Sequence, residues 1–498
     1  MSAIQEAVHA VHENPPALEP LSLASIIQEA TQTSEALSDE EVFNALVKRL
    51  VAAPLFADVH EWEVKDAWRR PVRPQTLKYF KFTRSTPENH LRYAAFTANR
   101  LLTALNEVDF MFLPEGRLES QWARPSFYNE EFRMLAALVT PQLQKYALSF
   151  VDENVTVSGH WTKKKFEEYF QERIMPLAEK KATSFDLIEN SKYPVQAAQL
   201  LMMQHAVDFL VEASHMARYI LGDYGKLQSQ LFRVILDEYG YGVHERKHST
   251  LFKDVLRSIG LETNTHAYWQ FYLNTTFLLN NYFHRITRQP EDFFRYLGAI
   301  TLAENMFGPY CRYTAAALRK VHGDKVNVQY YLEHAHIDQH HGRMTLEDML
   351  LPAIDRYGDE IIPDIVLGME QTLYLQDLAE KDLCAQVTWM SKKDDYHHLG
   401  MEIKDAVLAN QDKINIMRLI EPLSELSVTH CHDGDELCIV NSGVLRFVSG
   451  PNSFVDLQPG QAVVIQKSRL HGAIVLSDVC HYNIYSIGDY RRYADREV

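Results

Sequence analysis

The stretch EHAHIDQHHGRM, residues 333–344, places four histidines and an aspartate within the eight positions from His334 to His341. On a helix each residue turns about 100°, so Asp338 falls roughly 40° from His334 and His341 roughly 20° on its other side. His336 and His340 fall roughly 200° and 240° away, on the opposite face. His-x3-Asp-x2-His therefore offers three N/O donors on one helical stripe. Imidazole and carboxylate donors together suit a first-row metal, with iron or manganese ahead of zinc.

Such a stripe needs a helical bundle to supply more carboxylates, and the flanking sequence reads as one. From Lys163 to about Met390 long helical patterns succeed one another, with few prolines and glycines inside them. Glu212 is read as lying inside an apolar helix, DFLVEASHMARYI, where an unpaired buried carboxylate costs several kcal/mol. Glu238 and His248 flank a Gly-Tyr-Gly break that can bend the backbone and aim both inward. Glu304 is another lone acid on an apolar helix. A competing parse uses the pairs Glu212-x2-His215 and Glu245-x2-His248, the Glu-x-x-His spacing of ferritin-like di-iron bundles.

After SKKDDYHHLG and a short helix the pattern changes. From Ile414 onward, short β-type runs separated by glycine-containing turns indicate a small barrel or jelly roll of about 90 residues. In THCHDGDELCIVNSG, residues 429–443, alternation puts His430 and His432 on one face of a strand and Cys431 on the other. Glu436, Gly443 and a later His471 complete His-x-His-x3-Glu-x6-Gly…His, the metal motif of cupin barrels. Gln466 and Ser468 stand where proline and glycine are common, a departure that bears on the loop before His471 and not on the histidine. Three histidines leave open positions on a catalytic metal.

The whole chain has 498 residues, 46% hydrophobic and 23% charged, and a net charge of −16. That is the composition of a multidomain globular protein with no basic face for nucleic acid. It suits a cationic small substrate. The N-terminal MSAIQEAVHAVHENPP has neither the basic start nor the apolar core of a signal peptide, and no apolar run reaches membrane-spanning length. Five scattered cysteines without CxxC pairing point to free thiols in a reducing cytoplasm.

The expected architecture is α plus β in three parts: a helical N-terminal region (1–150), an all-α bundle (151–395) and a C-terminal β-barrel (405–498). In the first part Ser38 and Glu41 form a capping box ahead of Val42, Phe43, Leu46 and Leu50. Arg70-Pro71-Val72-Arg73-Pro74 then interrupts the helices, and HLRYAAFTANRLLTALNEV forms a second amphipathic helix. This part carries no chemical motif and is assigned to packing and oligomer contacts. The polar, β-branched VDENVTVSGHW, residues 151–161, marks its boundary.

With both halves in view, the chain resembles the bifunctional iron enzymes that fuse a heme-oxygenase-like di-iron oxidase domain to a mononuclear-iron cupin, and within them the nitrosourea-forming enzymes. The resemblance is densest in DEYGYGVHERKHSTLF, YWQFYLNTTFLLNNYFH, HIDQHHGRM, THCHDGDELC and IYSIGDYRR. It implies a di-iron site held by Glu212, Glu238, His248, Glu304, His334, Asp338 and His341. It also implies a cupin iron on His430, His432 and His471, with Glu436 outside the coordination sphere and His215 and Glu245 in supporting roles. Three glutamates and an aspartate would offset two Fe(II) ions.

The implied activity is O2-dependent hydroxylation of guanidine nitrogens of Nω-methyl-L-arginine, fed by an external electron donor. Oxidative rearrangement to an N-nitrosourea in the cupin would follow. The resemblance also implies a homodimer formed through the N-terminal helices. Two alternatives stand beside it: an N-oxygenase of another amine or amino-heterocycle with a non-catalytic cupin, and a non-catalytic iron-binding protein.

Overall fold

The computed structural model describes residues 39–66, 68–72, 84–113, 129–212, 214–494 and 498. Ser38 of the capping box lies outside them. The helix it would start, α1 (Asp39–Val51), is present and buries Phe43, Val47, Leu50 and Val51. The second amphipathic stretch forms α2 (Tyr93–Asn106). Next, α3 (Glu130–Asn154) begins on an Asn129 side-chain cap and runs into the segment read as a boundary.

The bundle is built from α4 (Pro194–Phe209), α5 (Lys226–Glu238), α6 (His248–Ser258) and α7 (Asn274–Ile286). It is completed by α8 (Phe293–His322), α9 (Gln329–Met344) and α10 (Ile362–Ser391). One continuous apolar core joins residues of α1, α2 and α3 to those of the bundle. Helices α8 and α9 come together at Gly308 and Gly342. A Cβ on Gly342 would stand 2.8 Å from Asn305 Oδ1, and one on Gly308 3.3 Å from the Asp338 Cβ. The small residues bring Glu304 of α8 beside the His-Asp-His stripe of α9.

One helix differs from its reading. Glu212 is not inside a helix: α4 ends at Phe209, and Glu212 sits in the turns that follow. Here i→i−3 bonds replace the helical ladder, with Val211 N–H donating to Asp208 O at 2.9 Å and Ser214 N–H to Val211 O at 3.0 Å. The apolar run from Asp208 to Ile220 looked continuous because a turn of this kind leaves hydrophobic periodicity almost unchanged.

The Gly-Tyr-Gly break has the expected effect. Gly240, Tyr241 and Gly242 all take positive φ, at 59°, 55° and 80°, so the chain turns sharply between α5 and α6. Gly240 has no room for a side chain, since a Cβ would stand 2.5 Å from the Arg246 carbonyl carbon. Gly240→Ala adds left-handed strain to this overlap and should cost about 2–4 kcal/mol. Urea unfolding would measure it, and a loss below about 0.5 kcal/mol would show that the turn is soft.

Helix α11 (Lys393–Ala409), at 17 residues longer than the short helix expected, leads into the β region. Its Tyr396, Leu399, Ile403 and Val407 belong to the core of that region. The strands are β1 (Asn415–Pro422), β2 (Leu426–His430), β3 (Asp435–Ser442) and β4 (Leu445–Gly450). They continue as β5 (Ser453–Leu457), β6 (Ala462–Ile465), β7 (His471–Val475) and β8 (Val479–Gly488). Two four-stranded antiparallel sheets result, ordered β1-β8-β3-β6 and β2-β7-β4-β5, which is jelly-roll topology. Among the described residues no helix is long and apolar enough to cross a membrane.

Candidate metal centres

In the bundle, donors from four helices and one turn converge. Glu212, Glu238, His248 and His334 form one group able to hold an ion, and Glu238, Glu304 and His341 form another. Glu238 belongs to both. Its Oε2 lies 2.6 Å from His248 Nδ1 and 3.7 Å from His334 Nε2, and its Oε1 lies 3.9 Å from His341 Nδ1. His334, Asp338 and His341 are buried, while His336 and His340 are exposed. The Glu-x-x-His parse is not realised: Glu245 is exposed, and His215 packs against Phe283, His284 and Tyr296.

Both inward histidines of α9 are oriented by their second nitrogen. His334 Nδ1–H donates to Tyr330 O at 3.0 Å, one turn back on α9, so Nε2 faces Glu212 Oε1 at 3.3 Å. His341 Nε2 meets Asp237 Oδ2 at 2.9 Å, leaving Nδ1 toward Glu304 Oε2 at 3.2 Å. Fixing one nitrogen sets the ring angle and makes the other a better donor to a metal. The Tyr330 hydroxyl donates to Glu212 Oε1 at 2.6 Å. Asp237 and Tyr330 were missed from sequence. Tyr330 carried a signal, since it stands four residues before His334 on the same helical face. Asp237 carried none beyond its place next to Glu238.

Asp338 stands slightly apart. Its Oδ1 is 3.8 Å from His341 Nδ1, and neither carboxylate oxygen makes a hydrogen bond. Burial first, then the neighbouring Glu304 and Glu238 carboxylates, push it well above the usual range, while His334 and His341 pull against them. Burial alone would depress His341, but Glu304 and Asp237 hold it up to about 10. In the same way Glu212 and Glu238 outweigh burial at His334 and hold it well above its ordinary value. Burial would raise Glu238, but His248 and His334 keep it low.

These residues suit divalent iron. Buried carboxylate oxygens without hydrogen bonds, at Asp338 and at Glu212 Oε2, are costly unless a cation meets them. Two imidazole nitrogens 3.0 Å apart, His248 Nδ1 and His334 Nε2, point at each other across the same space. Ligation requires deprotonated donors, so it works against the surroundings that raise the proton affinity of His341, His334 and Asp338. Iron binding at pH 7 is therefore expected to release about one to three protons per chain. Titration calorimetry in buffers of differing ionisation enthalpy would count them, and proton-neutral binding would contradict this charge arrangement.

The second centre lies in the jelly roll. His430 and His471 are register partners across β2 and β7. Their ring centroids lie 4.6 Å apart, with His432 at 4.7 Å from His430 and 5.0 Å from His471. His432 was expected within the strand, but β2 ends at His430 and His432 stands just beyond it. The bend at Asp433 and Gly434 releases the ladder there, while the His432 ring still converges with those of His430 and His471. His430 and His471 each donate Nδ1–H to a backbone carbonyl, of Val428 at 2.8 Å and of Arg469 at 3.0 Å, so Nε2 is the nitrogen each could offer a metal. Glu436 Oε2 lies 3.1 Å from His432 Nε2, outside the three-histidine group, and burial pushes it up to about 7.

The loop before His471 keeps its shape without the usual glycine. Ser468 takes φ +59° and its N–H donates to His432 O at 2.8 Å. That bond ties the loop to the segment that carries His430 and His432 and offsets part of the left-handed strain.

A heme-oxygenase-like helical bundle with a carboxylate–histidine metal centre, joined to a jelly roll with three converging histidines, is the architecture of an iron-containing redox enzyme. A family model with that description matches residues 199–377, the segment that holds all seven candidate donors of the bundle. The protein is an oxidoreductase. It is 41% identical to the nitrosourea synthase of Streptomyces achromogenes subsp. streptozoticus over 459 residues, covering 92% of this chain and 97% of that protein. The chain belongs to the nitrosourea synthase family.

Proposed function

We propose that the protein is an O2-dependent, two-centre N-oxygenase and nitrosourea synthase. In this reading it hydroxylates guanidine nitrogens of Nω-methyl-L-arginine in the bundle and converts the product to an N-nitrosourea in the jelly roll. The observation that carries the reading is the presence, in one chain, of two donor groups in the bundle joined at Glu238 and a third, of three histidines in the jelly roll, that shares no residue with them. Bound iron, two ions in the bundle and one in the cupin-type barrel, would supply O2 activation and one-electron chemistry.

The residues around each centre have separate tasks. Glu212, Glu238, His248, Glu304, His334, Asp338 and His341 would hold the iron pair, and His430, His432 and His471 the single ion. Tyr330 holds a proton on its hydroxyl against Glu212 and so limits how that carboxylate can turn. Phe209, Phe252 and Phe307 pack around Tyr330 and His334 and keep water from that side of the bundle centre. Each hydroxylation takes two electrons from an external donor. The acidic chain suits a cationic guanidine substrate.

The test is aerobic incubation of the Fe(II)-loaded protein with Nω-methyl-L-arginine and a reductant, followed by mass spectrometry. Hydroxylated and then nitrosated products are expected. No turnover with iron verified bound would remove the proposal.

A further inference from the structure

Helix α2 lies outside the barrel, yet contacts from it and from the residues just before it pin it to residues 429–433, at and just beyond the end of β2. The Arg100 guanidinium is wholly buried and donates to Thr429 O at 2.6 Å, to Thr429 Oγ1 at 2.7 Å and to Gln270 O at 3.2 Å. Burial lowers it to about 9, and its partners are carbonyls and a hydroxyl. The Cys431 thiol donates to Leu91 O at 3.5 Å, and Asp433 Oδ1 accepts the Tyr93 N–H at 3.0 Å. Residues 429, 431 and 433 therefore contact α2 or the residue shortly before it, while His430 and His432, which alternate with them, converge on the centre.

This latch sets the first residue of α2 beside two of the three histidines. The Tyr93 ring lies 5.9 Å from His430, edge-on, and 6.3 Å from His432, nearly parallel at 20°. The third histidine, His471, is buried and closed in by Phe447 at 5.6 Å and Trp389 at 6.5 Å. His430 and His432 are only half-buried. The accessible side of the centre is thus the side where Tyr93 stands.

We propose that Tyr93 is a substrate-positioning residue of the jelly-roll centre, its aromatic face stacking on the planar guanidine-derived ligand brought to the three histidines. The barrel's site is then incomplete without the N-terminal helical region. A planar cation over a tyrosine face is a favourable pairing, and a helix held by a buried arginine keeps that face in place. The inference rests on the barrel being an iron site, as proposed above.

The experiment compares full-length, Fe(II)-loaded wild type with Tyr93→Phe, Tyr93→Leu and Tyr93→Ala. The hydroxylated methylarginine is supplied directly, and the nitric oxide adduct of the iron is followed by electron paramagnetic resonance. Tyr93→Ala and Tyr93→Leu should raise KM for the nitrosourea-forming step about tenfold or more, with kcat changed much less. Tyr93→Phe should restore it. Adding the ligand should alter the nitrosyl signal in wild type and Tyr93→Phe and leave it unaltered in the other two. Hydroxylation in the bundle and the iron content serve as fold controls, and Tyr93→Leu preserves bulk if the alanine variant fails them.

An unchanged KM, or a loss in Tyr93→Phe equal to that in Tyr93→Ala, would overturn the stacking role. If the nitrosyl signal contains no component that His430→Ala removes, the iron-barrel reading itself has failed. That result is separate from anything the Tyr93 variants do.

Discussion

Glu238→Ala is expected to empty the bundle centre. Glu238 alone belongs to both donor groups there, with one oxygen toward His248 and His334 and the other toward His341. Its removal deletes the anion between two imidazole nitrogens only 3.0 Å apart and leaves Glu304 and His341 as a two-donor remnant. Losing a hydrogen-bond partner of a metal ligand typically weakens metal affinity by 10–100-fold, and losing a donor shared by two ions should exceed that. Bound iron should fall from about three to about one per chain, and hydroxylation by at least about 100-fold.

Iron by plasma emission and hydroxylated product by mass spectrometry would be read together. Iron held at three per chain would mean that Glu238 is not shared. The ion proposed for the barrel would be the internal control, because the three-histidine group shares no residue with the two bundle groups. A storage protein would instead bind many irons per chain and lose them in a graded way.

How far the sequence led depended on the range of the interaction. The stripe of α9 was legible because helical geometry fixes which of His334, His336, Asp338, His340 and His341 share a face. The jelly roll was legible from strand-length runs, and its histidines from a short local motif. Glu304 stood out as a lone acid among apolar neighbours, and Glu238 by its place beside the Gly-Tyr-Gly break. Features set by contacts between distant segments were not legible. The unwinding before Glu212 leaves no mark in hydrophobic periodicity. The pairing of Asp237 with His341 joins α5 to α9, and adjacency to Glu238 could not say which acid would ligate and which would orient a ring. The helix α2 appeared to have no chemistry because its partners, Thr429, Cys431 and Asp433, lie more than 300 residues away in the chain.

Ser468 shows the opposite kind of departure. The motif allowed a changed loop, yet the backbone keeps the left-handed turn that glycine would favour. The hydrogen bond to His432 O holds that shape, so the constraint belongs to the position and not to the residue.

His471→Ala should separate the two reactions. His471 sits buried between Phe447 and Trp389, and its Nδ1–H bond to Arg469 O fixes the ring on a loop that the Arg469–Asp382 ion pair anchors to α10. Without it, His430 and His432 remain as two donors from a single short segment, which hold Fe(II) weakly compared with three converging imidazoles. Iron should fall by about one per chain, hydroxylation should persist near the wild-type rate, and nitrosourea formation should drop at least about 100-fold. The hydroxylated guanidine should then accumulate in proportion to the O2 consumed. Removing one buried imidazole costs about 1–3 kcal/mol of stability, which a two-core protein of this size tolerates, so folding should not confuse the result. If nitrosourea appeared at the wild-type rate, the bundle would be carrying both reactions. The three histidines would then be a structural feature of the barrel, and the pairing of the two centres in one chain would need another explanation.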